Sequence, residues 1–178
     1  SEAVLANAKL NKPFIKQTVL DLVQESSTSA TQSAIVVSAG PSLHRTDSVQ
    51  RIAKSGYGGT VICADGALGH CFRNGLIPDY VVTLDPHPTR IVRWFGDPEL
   101  ADHDGDEYFQ RQDLDPYLAE NELARNNELI QLVNQHGPSI KAIVCTSASQ
   151  SVTRRCLDSG MQIYWWNPMV DDPDKPGS

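Results

Sequence analysis

The chain has 178 residues, 40 % of them apolar, and its 15 Lys and Arg against 22 Asp and Glu give a formal net charge of -7. This length and apolar content fit one globular domain and exclude a disordered chain. The acidic balance argues against a general binder of nucleic acids or membrane surfaces, because both partners are polyanions that an acidic face repels.

Neither a signal peptide nor a membrane span is predicted. No cationic start is followed by an apolar stretch, and the longest apolar runs are too short to cross a bilayer. None of the four cysteines shows C-x-x-C spacing, and we interpret them as reduced, structural thiols. These observations predict a cytoplasmic protein. The cysteines are Cys63, Cys71, Cys145 and Cys156.

Residues 1–33 are predicted to form an N-terminal helix and a linker. Apolar residues between Phe14 and Val23 recur with helical spacing. The stretch 25–33 is rich in Ser and Thr, which is typical of a linker.

Strands and helices are predicted to alternate over residues 34–168, which we interpret as the nucleotide-binding domain. The strand signals are short apolar runs without alternation, which is typical of strands covered on both faces. The alternation predicts an α/β fold, namely a Rossmann-like, doubly wound, mainly parallel sheet of about five or more strands with flanking helices. The predicted strands are 34–38, 60–64, 80–84, 140–145 and 161–165, and the predicted helices are 47–54, 66–73, 90–95, 129–134 and 151–157.

Two segments depart from this rhythm. Residues 97–127 are acidic and poor in apolar periodicity, and we interpret them as a solvated insertion. Their DHDGDE run is similar to a calcium loop, but Glu107 and Asp113 stand where that loop requires Gly and Glu. Residues 169–178 are predicted to be a tail without core-forming character, and two interpretations stay open, a complete chain or a piece of a longer protein.

Small and polar residues follow every predicted strand, at the edge of the sheet where α/β proteins bind ligands. This convergence predicts a ligand site more strongly than any single member does. The residues are Ser38, Gly40, Pro41 and Ser42 after the first strand, Asp65 and Gly66 after the second, Asp85 and His87 after the third, Ser147 after the fourth and Asn167 after the fifth.

The SAGPSL turn after the first strand is the candidate phosphate site. Gly40 lets the backbone approach an anion, and Ser42 can cap a following helix whose free N–H groups bind phosphate. With one Gly and no Lys, the turn is neither a G-x-G-x-x-G motif nor a Walker loop. On these residues alone, an ordinary strand-to-helix turn is the alternative.

The acidic residues after the next two strands are candidate metal or ribose ligands. Asp65 and Asp85 can hold Mg²⁺ against a diphosphate or accept hydrogen bonds from ribose hydroxyls. For Asp65, capping of the next helix is the alternative. His87 can act as a general acid or base, and Arg90 and Arg93 can supply positive charge to a phosphate. Surface side chains without such roles are the alternative for these three.

Three segments, taken in order, resemble the 6-hydroxymethylpterin diphosphokinase-like family, which also contains the bacterial motility accessory factors. They are IVVSAGPSL at 35–43, ICADGAL at 62–68 and GLIPDYVVTLDP at 75–86. The resemblance covers about residues 10–168. It implies a Rossmann-like fold and a nucleotide-dependent transferase.

Two activities are implied by the resemblance. Archaeal members transfer diphosphate from ATP to a pterin alcohol with Mg²⁺, whereas motility accessory factors move a nonulosonic acid from a CMP-sugar onto flagellin. The GPSL turn is also similar to the CMP-binding loop of bacterial sialyltransferases, although Ala39 stands where that loop carries Asn. Family members continue beyond the fifth strand into a GN-containing motif that this chain lacks.

From the resemblance we expect a nucleotide-dependent transferase, and we favour a glycosyltransferase that uses a CMP-activated nonulosonic acid with a small-molecule or flagellin-like protein acceptor. The alternatives are a Mg²⁺- and ATP-dependent diphosphokinase acting on a pterin-like alcohol, and a non-catalytic nucleotide-binding module. We expect Asp85 and His87 to be catalytic and Asp65 and Asp85 to bind Mg²⁺. The expected nucleotide-binding residues are Ser38, Gly40, Pro41, Ser42, Asp65, Gly66 and Ser147.

Overall fold

The computed structural model describes residues 2–26, 33–100 and 116–167. Most of the predicted linker, the DHDGDE segment of the predicted insertion and the predicted tail lie outside these ranges. Within them, no helix is long and apolar enough to cross a membrane.

Five parallel strands form one sheet, which confirms the predicted α/β, Rossmann-like class. Each strand lies where its apolar run predicts it, and the ends differ by at most one residue. The strands are β1 (Ala34–Val37), β2 (Thr60–Ala64), β3 (Tyr80–Thr83), β4 (Lys141–Cys145) and β5 (Gln162–Trp166).

The strands stand in the sheet in the same order as in the chain. Right-handed crossovers that all move in one direction place their helices on one face of the sheet. Among the described strands the order never reverses, so they do not form the crevice that a doubly wound sheet opens at a reversal point. The helices of these crossovers are α3 (Ser48–Lys54), α4 (Leu68–Arg73), α5 (Pro116–His136) and α6 (Gln150–Asp158).

The face of the sheet that meets these helices is the core. Val37, Cys63, Val81, Ala142 and Ile163 stand side by side in the strand register, and all of them are buried. Because side chains alternate along a strand, their neighbours point to the other face, where the covering is incomplete. Burial of each larger aliphatic side chain of the row stabilises the fold by roughly 1.5–3 kcal/mol.

The predicted N-terminal helix is two helices, α1 (Glu2–Asn11) and α2 (Val19–Ser26). Helix α2 lies against β5, where the Glu25 carboxylate accepts hydrogen bonds from the Tyr164 hydroxyl at 2.6 Å and the Lys141 ammonium at 3.1 Å. The bond from Tyr164 lowers the pKa of Glu25 from its ordinary value. The pair of bonds fastens α2 to the less covered face of the sheet.

Helix α1 lies across the loops that follow β3 and β4. The buried Asn11 amide donates to the carbonyls of Thr146 and Ala148, at 2.9 and 2.7 Å. The Asn7 amide donates to the carbonyls of Pro86 and Ser147. Because buried carbonyls need partners, these bonds hold both loops in place at the ligand-binding edge.

Helix α5 begins at Pro116, far ahead of the predicted start at Leu129. Part of the predicted acidic insertion is therefore helical. The sequence hides this helix because residues 120–128 are mostly charged or amide side chains, whereas Leu129 and Val133 are apolar and buried. The predicted helix over 90–95 is shorter than expected, a 3-10 turn over Val92–Phe95.

All four cysteines are buried and unbridged, in agreement with the prediction of structural thiols. Burial raises the pKa of Cys156 to about 12. A hydrogen bond with the Cys71 thiol, together with burial, raises the pKa of Cys63. The thiols of Cys156 and Cys63 therefore stay protonated and act as small apolar side chains.

Candidate functional site

A cleft of about 390 Å³ opens beyond the carboxyl ends of β1 and β2. Its volume lies within the range of small-molecule sites in proteins. The turn after β1, the turn after β2, helix α4, the segment 90–94 and helix α5 all contribute to its wall. The lining residues are Ala39, Gly40, Pro41, Gly66, Gly69, His70, Arg73, Arg90, Arg93, Trp94, Glu122, Arg125, Asn126 and Leu129.

The SAGPSL turn contributes Ala39, Gly40 and Pro41 to the wall, and ligand binding by this turn stays a prediction. The Gly40 backbone is extended, and a Cβ added there would meet no atom within 4 Å. The space beside Gly40 is therefore open, and the close approach of a ligand there stays a prediction.

Ser42 does not cap α3, contrary to our expectation. It lies inside a 3-10 turn over Pro41–His44, and α3 begins only at Ser48. The Ser42 carbonyl accepts hydrogen bonds from the Arg45 amide and the Thr46 hydroxyl. Its backbone is therefore used to continue the turn, because Pro41 fixes the start of a tight 3-10 turn rather than of the α-helix.

Asp65 positions Gly66, the cleft residue after β2. One carboxylate oxygen accepts the Gly66 amide at 2.6 Å, and the other accepts the hydroxyl of buried Thr83 at 2.8 Å. A Cβ on Gly66 would lie 3.0 Å from the Ala39 Cβ and 3.9 Å from Cε2 of Trp94. Asp65 thus ties β2 to β3 and fixes the glycine at which two turns and the indole meet.

Asp85 positions Arg90. Its carboxylate accepts the His87 amide at 2.9 Å and the Arg90 guanidinium at 2.9 Å. Arg90 lines the cleft, whereas Asp85 and His87 do not. The loop after β3 therefore contributes Arg90 to the cleft, and Asp85 orients this arginine.

The hydrogen bonds of His87 indicate which of its nitrogens carries a proton in the neutral ring. Nδ1 accepts the amides of Thr89 and Arg90, at 3.3 and 3.1 Å. An accepting Nδ1 leaves the proton on Nε2, so the neutral ring offers a donor there. Because His87 does not line the cleft, its role as acid or base stays a prediction.

Four arginines line the cleft: Arg73, Arg90, Arg93 and Arg125. Glu122 is the one acidic residue among the described lining residues. Arg73 pairs with Glu128 at 3.2 Å and Arg90 with Asp85 at 2.9 Å, and all four of these side chains are about one-third to one-half exposed. The cleft is thus a local concentration of positive charge in an acidic protein.

Ser38 and Ser147 lie outside the cleft wall. Ser147 is buried, its hydroxyl lies 2.8 Å from the Cys145 sulfur, and its carbonyl accepts the Asn7 amide. It therefore belongs to the packing between α1 and the loop after β4. Ser38 is exposed at the end of β1. For both residues, nucleotide binding stays a prediction.

The donor set for Mg²⁺ is small. Within the described ranges, no group of three or more His, Cys, Asp and Glu side chains could hold a metal ion. Both oxygens of Asp65 and of Asp85 already accept one hydrogen bond, and each oxygen keeps a further lone pair. Mg²⁺ usually keeps several waters and binds through one or two carboxylates plus substrate phosphates. Neither Asp65 nor Asp85 lines the cleft, so their role as Mg²⁺ ligands stays a prediction.

Sequence reasoning missed eight residues of the wall, namely Gly69, His70, Arg73, Trp94, Glu122, Arg125, Asn126 and Leu129. They come from α4, the 3-10 turn and α5, and only tertiary packing brings them to the turns after β1 and β2. One usable signal was the recurrence of arginine in the helical segments that follow the ligand-binding edge, since the rest of the chain is acidic.

The comparison with protein families decides the assignment. The model described as "6-hydroxymethylpterin diphosphokinase MptE-like" matches residues 3–95. The chain belongs to this family. Membership confirms the resemblance found in the sequence and indicates a diphosphokinase-like or related transferase. The match includes the turns after β1, β2 and β3, whereas α5 lies outside it. No curated protein and no solved structure matches the chain.

Proposed function

We propose that the protein binds a nucleoside triphosphate in the cleft and transfers a diphosphate group from it to the hydroxyl of a pterin-like alcohol. The observation that carries the proposal is the set of four arginines around a glycine turn. Arginine matches phosphate oxygens with two parallel hydrogen bonds, and its charge persists at every physiological pH.

The charge of the cleft favours a triphosphate over the CMP-sugar that the sequence led us to favour. A nucleoside triphosphate distributes several negative charges along its chain, whereas a CMP-activated nonulosonic acid carries one phosphodiester charge and one carboxylate charge. Four guanidinium groups around one wall match the larger anion better. The CMP-sugar reaction stays a prediction, and competition between the two nucleotides decides it.

The arginines can change partners at low cost. Exposed ion pairs such as Arg73–Glu128 and Arg90–Asp85 contribute about 0–1 kcal/mol each. The side chain of Arg125 forms no hydrogen bond or ion pair within the described part of the chain. A bound phosphate chain therefore replaces weak surface pairs and gains stronger charge-assisted bonds.

The reaction follows from these contacts. The acceptor hydroxyl oxygen attacks the β-phosphorus, and the bond from that phosphorus to the oxygen bridging it to the α-phosphorus breaks. The nucleoside monophosphate leaves with the bridging oxygen, and the hydroxyl proton passes to water. The arginines stabilise the charge that grows on the phosphoryl oxygens, which is the main contribution a protein makes to such a transfer.

Asp65 and Asp85 follow β2 and β3 at the edge of the sheet where the cleft opens, and they are the carboxylates that would hold Mg²⁺, although neither lines the cleft itself. When bound, the ion neutralises phosphate charge and orients the leaving group. In this chain Asp65 also keeps Gly66 in place, and Asp85 keeps Arg90 aimed at the cleft.

The experiment measures transfer directly. The protein is incubated with ATP, Mg²⁺ and 6-hydroxymethylpterin, and phosphorus NMR follows the appearance of AMP and a pterin diphosphate. Arg125→Ala is expected to weaken ATP binding about tenfold or more, because a charge-assisted bond contributes roughly 1.5–3 kcal/mol. Calorimetry gives the affinity of each variant for ATP and for CMP.

Arg51→Ala is the matched control, because Arg51 is exposed on α3 and does not line the cleft. It should leave ATP binding unchanged. Tighter binding of CMP than of ATP contradicts the diphosphokinase and supports the glycosyltransferase. Absence of heat with both nucleotides, with and without Mg²⁺, overturns both.

A further inference from the structure

The cleft contains more than a phosphate site. Its wall includes Trp94, whose side chain is 42 % exposed although it is a large apolar residue. Leu129 and Pro41 line the same cavity. Phosphates bind polar donors, whereas an indole presents mainly an apolar aromatic face beside its single N–H donor, so part of the cleft is suited to an apolar, planar group.

The indole of Trp94 lies close to Gly66. A Cβ added to Gly66 would lie 3.9 Å from Cε2 of the indole, and Gly66 is itself held by the Asp65 carboxylate. An exposed aromatic ring that lines a cavity is a stacking surface for a heterocycle.

Glu122 provides the second observation. It lines the cavity together with four arginines, yet its carboxylate forms no hydrogen bond or ion pair within the described ranges. A carboxylate only accepts hydrogen bonds, and its two oxygens match two adjacent N–H donors in one plane. Such a donor pair occurs on the amino-pyrimidinone edge of pterins and of guanine, whereas adenine and cytosine present a donor beside an acceptor.

From these contacts we infer that Trp94 and Glu122 form a heterocycle subsite, in which Trp94 stacks a planar ring and Glu122 binds two adjacent N–H donors on its edge. This inference rests on the proposed function and assigns the subsite to the acceptor rather than to the base of ATP. It makes Trp94 and Glu122 the specificity-determining residues for a pterin.

The test compares two ligands that differ in one group. Binding of 6-hydroxymethylpterin and of 6-hydroxymethyllumazine, in which oxygen replaces the 2-amino group, is measured by calorimetry on the full chain. Wild type should prefer the pterin by on the order of tenfold, because the lumazine lacks one of the two donors. Glu122→Gln should lose most of this preference, since its amide offers only one acceptor oxygen.

The stacking partner is tested by two substitutions. Trp94→Leu should weaken pterin binding by about fivefold or more, and Trp94→Phe should retain most of the affinity because it keeps an aromatic face. Glu2→Gln in α1 and Trp166→Phe at the end of β5 are the controls, since neither residue lines the cleft. Thermal unfolding of each variant establishes that it is folded.

Measuring ATP binding on the same variants separates the two proposals. Loss of pterin binding with ATP affinity retained supports the subsite. Unchanged pterin affinity in both Trp94→Leu and Glu122→Gln overturns it, even if diphosphate transfer is observed. Loss of ATP affinity alone overturns it as well, because the ring over Trp94 would then be the base of the nucleotide. Failure of wild type to bind ATP overturns the proposed function and leaves a pterin preference measurable.

Discussion

Gly40 lies where the turn after β1 meets the cleft, and its backbone conformation is open to any residue. A Cβ added there would meet no protein atom within 4 Å. Gly40→Ala should therefore fold normally and gain roughly 0.4–1 kcal/mol from the stiffer unfolded chain. It should also weaken ATP binding severalfold, because the methyl group occupies space that a phosphate would need. Urea unfolding and calorimetry measure the two effects on the same sample.

Gly58 is the matched control for this change. It also has open space around an added Cβ, and it does not line the cleft. Gly58→Ala should leave ATP binding unchanged. If the two variants bind ATP equally well, Gly40 is an ordinary turn residue and not part of a phosphate site.

Helix α5 supplies Glu122, Arg125 and Leu129 to the cleft, so its attachment to the 3-10 turn sets the width of the site. The buried Arg155 guanidinium donates to the carbonyls of Phe95, Gly96 and Ile130. Desolvation by burial lowers the pKa of Arg155. These bonds join the turn, α5 and α6 into one rigid support.

Gly96 is the point of closest approach in this support. Its φ is +74°, and an added Cβ would lie 2.7 Å from the backbone nitrogen of Ile130 in α5. Gly96→Ala should therefore cost more than the roughly 1–3 kcal/mol of a strained backbone alone, because the helix must also move. Urea unfolding measures the loss of stability, and calorimetry should show weaker ATP binding.

Gly75→Ala isolates the backbone contribution. Gly75 has nearly the same φ, +73°, but an added Cβ there meets nothing within 4 Å. Equal costs for the two substitutions would show that the contact with α5 is unimportant. A larger cost at Gly96 attributes the difference to the displaced helix.

The elements that could be predicted from the sequence are those with local signals. The strands were found because runs such as AIVV and KAIVC are apolar without alternation, and the turn at Gly40 followed from its place after β1. The first half of α5 was missed because residues 120–128 are mostly charged or amide side chains, and Arg125 and Glu122 were missed with it. A cleft wall built from separate helices depends on long-range packing, which no local pattern of residues reports.

The whole molecule combines a net charge of -7 with a cleft that four arginines line. A polyanion is repelled by the molecule as a whole and attracted by the cleft at short range. Salt screens interactions between exposed charges, and the Debye length is about 10 Å at 0.1 M salt. The attraction between the exposed arginines and the bound phosphates therefore weakens as salt is added. The affinity for ATP should therefore fall as salt rises, and it should fall more steeply than the affinity for AMP, which carries less charge.

Calorimetry at about 0.05 and about 0.5 M salt measures this difference, because the Debye length shortens severalfold over that interval. Arg125→Ala should flatten the salt dependence of ATP binding, whereas Arg51→Ala on α3 should leave it unchanged. Equal salt dependence for ATP and AMP would mean that the β- and γ-phosphates lie outside the arginine wall. That result would contradict diphosphate transfer from this cleft, since the transferred group must lie where the positive charge is.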